Sequence, residues 1–170
     1  MTTAMIVCDT QTKVLKVPGH LFLEMAQKTG LAKALSKIHK YRASVASLSL
    51  ARDLSPELIN EISLIAKETT FKAGSVIIKE GDKKSNKVFV VLRGSACVTI
   101  GGVKKATLYE KQVFGEIGFL HGVARTATVT AATEVKVMYL TKKQFAKIVK
   151  KVPMLYFYFG ALAREHKEAT

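Results

Sequence analysis

The residue types best suited to chemistry fall in one stretch of this chain. It reads Phe114-Gly115-Glu116-Ile117-Gly118-Phe119-Leu120, followed by Arg125-Thr126-Ala127-Thr128-Val129. A strand end comes first, with a glycine, Gly115, that lets backbone approach a ligand. A short helical turn follows, whose exposed N–H groups and dipole favour an anion. Nine residues past Glu116 stands Arg125, and a guanidinium grips a phosphate through paired N–H donors. A carboxylate beside an anion site is out of place unless the ligand also offers hydroxyls. Glu116 can accept a hydrogen bond from a ribose 2′-OH, as the acidic residue of dinucleotide sites does. A phosphate and a sugar hydroxyl held close together satisfy both side chains.

Other chemistry is poorly served. His20, His39, His121 and His166 are scattered, and none lies two to four residues from a cysteine or another histidine, the spacing of metal-ligand pairs. That argues against a metal-dependent enzyme on a barrel. No Ser/His/Asp or Cys/His arrangement stands out, so a non-enzymatic module without cofactor is expected. Cys8 and Cys97 make no disulfide framework, and no basic-then-apolar leader opens the chain. Apolar runs such as residues 88–92 fall far short of the ~20 residues that span a bilayer. A reduced, cytoplasmic location without a membrane span is expected.

The elements that must position these residues follow from periodicity. At 170 residues the chain has room for one domain, or one domain and a piece of another. Residues 54–67 read as a helix, with Ser55 as N-cap, Pro56 at the first helical position and Leu58, Ile62 and Ile65 on one face. Short β-rich runs follow at residues 75–79, 88–92, 96–100, 103–109, 126–131 and 135–140, punctuated by glycine turns. Helical pattern returns at 142–150, breaks before Pro153 and resumes from Met154 to about His166. The fold class expected is α+β: an antiparallel β-roll, jelly-roll-like, flanked by N-terminal and C-terminal helices.

The chain also repeats itself. Shifted by 123 positions, residues 3–29 fall on 126–152 with seven identities in 27, including Lys13/Lys136, Val14/Val137 and Phe22/Phe145. Average composition gives about two. Residues 1–50 therefore read as the remnant of an upstream copy (two strands within residues 3–17, then a helix) plus a linker helix. That linker would carry the stripe Leu31, Leu35, Ile38, Val45 and Leu48. Residues 51–170 form the complete module. In this register Thr2 stands where Arg125 stands in the second copy, so one site is expected.

The residues carry a resemblance. Phe71-Lys72-Ala73-Gly74, Gly81-Asp82, residues 88–94, and above all the stretch around Glu116 and Arg125 resemble the cyclic-nucleotide-binding domain. This is the β-roll of cAMP- and cGMP-dependent protein kinases, the catabolite activator protein and cyclic-nucleotide-gated channels. The likeness covers about residues 54–166. It implies Glu116 on the ribose 2′-OH, Arg125 on the cyclic phosphate, and backbone N–H donors around Ile117 and Ala127, with Gly115 also at the ligand. It implies cGMP or cAMP as ligand, and C-terminal helices that move on binding to control a kinase or other effector, in cis or in trans. Threonine after the arginine, Thr126, resembles cGMP-dependent kinases and gated channels, where its hydroxyl bridges phosphate and guanine. The chain departs from the family with Ala124 where proline is frequent and Lys111 where glycine is frequent. For the base, Val90, Val98 and Leu108 offer an apolar slot, and Tyr156, Phe157 or Tyr158 a stacking lid. The alternative is a β-roll unresponsive to nucleotide that serves as a protein-interaction module.

Net charge is +14, with +5 in residues 1–50, +4 in 51–141 and +5 in 142–170. Such a balance attracts phosphates and anionic surfaces generally. No block of five like charges occurs, so the lysines read as solvated helix faces and no nucleic-acid partner is expected.

Overall fold

The computed structural model describes residue 7, residues 10–46, residue 48, residues 54–84 and residues 86–168. It divides into two compact units, Met1–Ser36 and Lys37–Thr170.

In the first unit α1 spans Gly19–Lys28, with Lys28 Nζ 2.6 Å from Glu24 one turn earlier. Of the two strands expected in residues 3–17, residues 1–6, 8 and 9 lie outside the described residues. Residues 11–17 form no ladder, and Val14 and Leu15 are 86% and 90% exposed. A strand needs a neighbour for its backbone groups, and no described strand pairs with this stretch. Helix α2, Leu31–Ala46, starts in the first unit and continues into the second. Of its expected stripe, Val45 and Leu48 are buried, whereas Leu35 is exposed and Tyr41 is buried instead.

The second unit opens with α3, Pro56–Ile65. Ser55 caps it by accepting from the Leu58 amide, and Pro56 sits at the first position, where no donor is lost. The helix ends two residues sooner than its periodicity predicts, because residues 67–71 are claimed by a sheet. They form β1, Lys67–Phe71, paired antiparallel with β8, Val135–Thr141. Between them lie β2 Val76–Ile78, β3 Lys87–Arg93, β4 Ala96–Ile100, β5 Val103–Leu108, β6 Val113–Phe114, α4 Glu116–His121 and β7 Thr128–Ala131. Helices α5, Lys142–Lys151, and α6, Met154–Glu168, close the chain. A capping box between Thr141 and Gln144 starts α5.

Two four-stranded antiparallel sheets, ordered β1-β8-β3-β6 and β2-β7-β4-β5, face each other. The predicted α+β roll with flanking helices is the fold observed. Alternation along β3 explains its two cores. Phe89 and Val91 point into the roll with Ile78, Leu108, Phe114, Val129 and Val137. Val88 and Val90 point out, onto the helical layer of Leu58, Ile62, Phe145, Ile148, Leu155 and Phe159. The second core bolts α3, α5 and α6 to the sheet that ends in β6. That strand leads directly into α4.

Candidate functional site

The stretch singled out in the sequence is built by two left-handed glycines. Gly115 (φ +79°) turns the chain from β6 into α4, and Gly122 (φ +67°) turns it out again. The loop back to β7 is pinned to the β2–β3 turn: the Gly81 amide donates to the Arg125 carbonyl at 2.8 Å, and the Arg125 amide to the Asp82 carbonyl at 2.9 Å. Strand β7 begins at Thr128, two residues later than predicted, because Thr126 and Ala127 are spent on the wall of a cavity.

That cavity, about 40 Å³, is lined by Gly115, Ile117, Gly118, Arg125, Thr126 and Ala127, with Ile78 and Val129 as its apolar floor. Five of the six residues predicted to hold ligand thus meet at one place. The sixth, Glu116, is 2% exposed and turns its carboxylate to α6, where Oε1 lies 2.8 Å from His166 Nδ1. This hydrogen bond lifts the His166 pKa above its ordinary 6.5, against the opposing effect of burial.

Arg125 is 7% exposed. Its Nη1 donates to the Gly115 carbonyl at 2.6 Å and its Nη2 to the Lys87 carbonyl at 2.8 Å. Neutral carbonyls orient the guanidinium without cancelling its charge, and among the described residues no carboxylate lies within ion-pair distance of it. Burial depresses its pKa, while the more distant charges of Asp82 and Glu116 oppose that shift. The same side chain also walls a second recess of about 430 Å³, lined by Asp82, Lys87, Phe89 and Tyr139 among others. A buried, oriented cation between two cavities is chemically suited to an anion.

The residues expected around the base lie elsewhere in this structure. Leu108 is buried inside the roll and Val98 packs against that core. Val90 faces the helical layer. Tyr156 and Phe157 are exposed, edge to face with each other at 6.4 Å, and Tyr158 packs on Phe159 at 6.0 Å. None of these lines the 40 Å³ cavity. No sequence pattern points to His166 as a partner of Glu116, since fifty residues separate them.

Comparison with known proteins shows the family and the fold. The model of the family described as "Cyclic nucleotide-binding domain" matches residues 68–152, half of the chain, from the second residue of β1 through α5. The chain belongs to that family. A cGMP-dependent 3',5'-cGMP phosphodiesterase of Dictyostelium discoideum is 34% identical over 106 residues, 62% of this chain but 12% of the relative. A cyclic nucleotide-gated potassium channel of Mesorhizobium japonicum is 30% identical, over 74% of this chain and 35% of the channel. A cGMP-dependent protein kinase of Caenorhabditis briggsae is 27% identical, over 76% of this chain and 18% of the kinase. The chain therefore spans only about an eighth to a third of these relatives. Among solved structures, the "PKAR CBD2" domain with Sp-2Cl-cAMPS bound has the same fold, with TM-score 0.71 and 21% identity, covering 80% of this chain and 90% of that one. The regulatory domain of Toxoplasma gondii PKA with cAMP gives TM-score 0.70 at 19% identity, covering 81% and 52%. Among the described residues, no cluster gathers three or more metal-ligating side chains, and no helix is long and apolar enough to cross a membrane.

Proposed function

We propose that this module binds a cyclic nucleotide, cGMP or cAMP, at the cavity between α4 and β7, and that it acts without catalysis, as a regulator in the cytoplasm. The observation that carries the reading is Arg125: a buried guanidinium, held by two carbonyls and free of a carboxylate among the described residues, at a cavity ringed by Gly115, Ile117, Thr126 and Ala127. The cyclic phosphate supplies the missing negative charge there, and Glu116 takes the ribose 2′-OH. Thr126 stands on the same wall, which favours cGMP.

The signal travels through packed aromatics. Phe119 of α4 meets Phe145 of α5 edge to face at 5.1 Å, and Phe145 meets Phe159 of α6 in the same way at 5.1 Å. A shift of α4 on binding is felt by both C-terminal helices, and through them by a kinase or other effector domain.

The N-terminal helices are read as the tail of an upstream copy. Displaced by 123 positions, Gly19–Lys28 falls on Lys142–Lys151, and Leu31, where α2 begins, falls on Met154, where α6 begins. Agreement of helix limits adds to the seven sequence identities. A β-roll encoded upstream of residue 1 in the parent gene is the expected finding, and unrelated sequence there would remove this part of the reading.

The deciding experiment is calorimetric titration with cGMP and with cAMP, repeated on Arg125→Ala. Binding to the wild type that weakens about 100-fold or more in the variant is expected. A folded protein that binds neither nucleotide would overturn the reading in favour of a protein-interaction roll.

A further inference from the structure

Of the groups assigned to the ligand, Glu116 is already engaged by another element. Its buried Oε1 lies 2.8 Å from His166 Nδ1, which reaches it from the last turns of α6. We propose that His166 is a displaceable latch: it holds α6 on the ribose-binding carboxylate, and a cyclic nucleotide must take Glu116 from it. The inference rests on the reading of Glu116 as ribose acceptor and adds an internal competitor for that group.

The geometry makes ligand and helix alternatives. Glu116 is 2% exposed with His166 in place, so a ribose hydroxyl reaches its carboxylate only when the imidazole withdraws or the carboxylate turns away from it. Either movement loosens the end of α6 from α4, leaving the ring contacts through Phe145 and Phe159 nearer its start. Among the charges acting on His166 are Glu116, from α4, and Glu165, its neighbour on α6. Beyond Glu116 stand Arg125 and Asp82, and Arg125 is attracted to both carboxylates. Protonation of His166 converts the latch to an ion pair and strengthens it. The latch is therefore fully charged below the ordinary histidine pKa of about 6.5 and weakens as pH rises through the raised value. Nucleotide affinity should rise over the same interval.

The test is titration of cGMP and cAMP into wild type, His166→Ala, His166→Gln and Arg125→Ala, from about pH 6 to pH 8.5, with hydrogen exchange followed on the α6 amides. His166→Ala is expected to bind about tenfold more tightly than wild type at pH 6, with the gap closing toward pH 8.5. His166→Gln keeps an uncharged donor, so it should lie between the two with a flat pH profile. Nucleotide should speed α6 exchange in the wild type, and exchange should already be fast in His166→Ala. Equal affinities and parallel pH profiles in wild type and His166→Ala, with binding lost in Arg125→Ala, overturn the latch and leave the nucleotide reading standing. Absence of binding by every variant overturns both.

Discussion

Arg125 Nη1 stands 2.8 Å from the point where a β-carbon on residue 115 would sit, while donating to the Gly115 carbonyl at 2.6 Å. The arginine thus fills the space that glycine leaves open. Ile78 Cδ1 crowds the same point at 2.9 Å, and φ of +79° independently disfavours any residue with a β-carbon.

Gly115→Ala should therefore harm stability and site together. The left-handed conformation alone costs ~1–2 kcal/mol with a β-carbon, a fall of about 2–8 °C in Tm for a chain of this size. Because Arg125 must also move, nucleotide affinity should drop at least about tenfold. Thermal unfolding and titration check the two effects separately; an unchanged Tm would show that the turn relaxes freely.

Lys111 is the complementary case. It has φ of +70°, the one positive φ outside glycine among the described residues, at a position where the resemblance implies glycine. Its amide donates to the Val91 carbonyl at 2.8 Å, which holds the chain in that conformation. Lys111→Gly removes the strain and adds unfolded-state entropy, for a net gain of ~0.5–1 kcal/mol. Denaturant unfolding should show a higher midpoint with unchanged slope.

The start of α5 depends on two side chains. Gln144 Oε1 accepts from the Thr141 amide at 2.9 Å, while its Nε2 donates to the Ile65 carbonyl at the end of α3 at 2.6 Å. Thr141→Ala should cost ~1 kcal/mol. Gln144→Ala should cost more, because it also strips the partner from an α3 terminal carbonyl. Chemical denaturation ranks the two, and the reverse order would assign the bond to α3 little weight.

Glu68 governs the acid limit. Burial disfavours its ionised form, but Lys40, Tyr41 and Lys136 outweigh that and hold its pKa at about 2. Lys40 Nζ lies 2.6 Å from Oε1 and Lys136 Nζ 3.3 Å from Oε2. A depressed carboxylate contributes stability above its unfolded pKa, and that contribution fades as pH falls through the folded value. The stability difference between wild type and Glu68→Gln should be largest above about pH 4.5 and should shrink toward pH 2. A difference constant across that range would locate the acid sensitivity in another group.

Selectivity has its own check. If the Thr126 hydroxyl bridges phosphate and guanine, Thr126→Ala should weaken cGMP by about 1 kcal/mol, one neutral hydrogen bond, with a smaller change for cAMP. Equal losses for both nucleotides would reduce Thr126 to a phosphate contact.

The sequence by itself determined what depends on neighbours along the chain. β-rich runs at 88–92 and 135–140 between turns marked strands, Ser55-Pro56 marked a helix start, and Gly115, Glu116 and Arg125 marked a candidate anion site, because strand propensity, capping and glycine turns are local properties. Tertiary structure alone decided the rest. Residues 67–71 became a strand because β8 lay beside them, against the helical pattern that precedes them. The two residues of β6 are too few to carry a period, and pairing with Phe89 and Val90 defines them. Only the folded chain brings His166 to Glu116 and turns Arg125 onto the carbonyls of Gly115 and Lys87. Those bonds depend on distances of a few tenths of an ångström, set by sheet register and helix packing between residues up to fifty apart, and no local pattern encodes them.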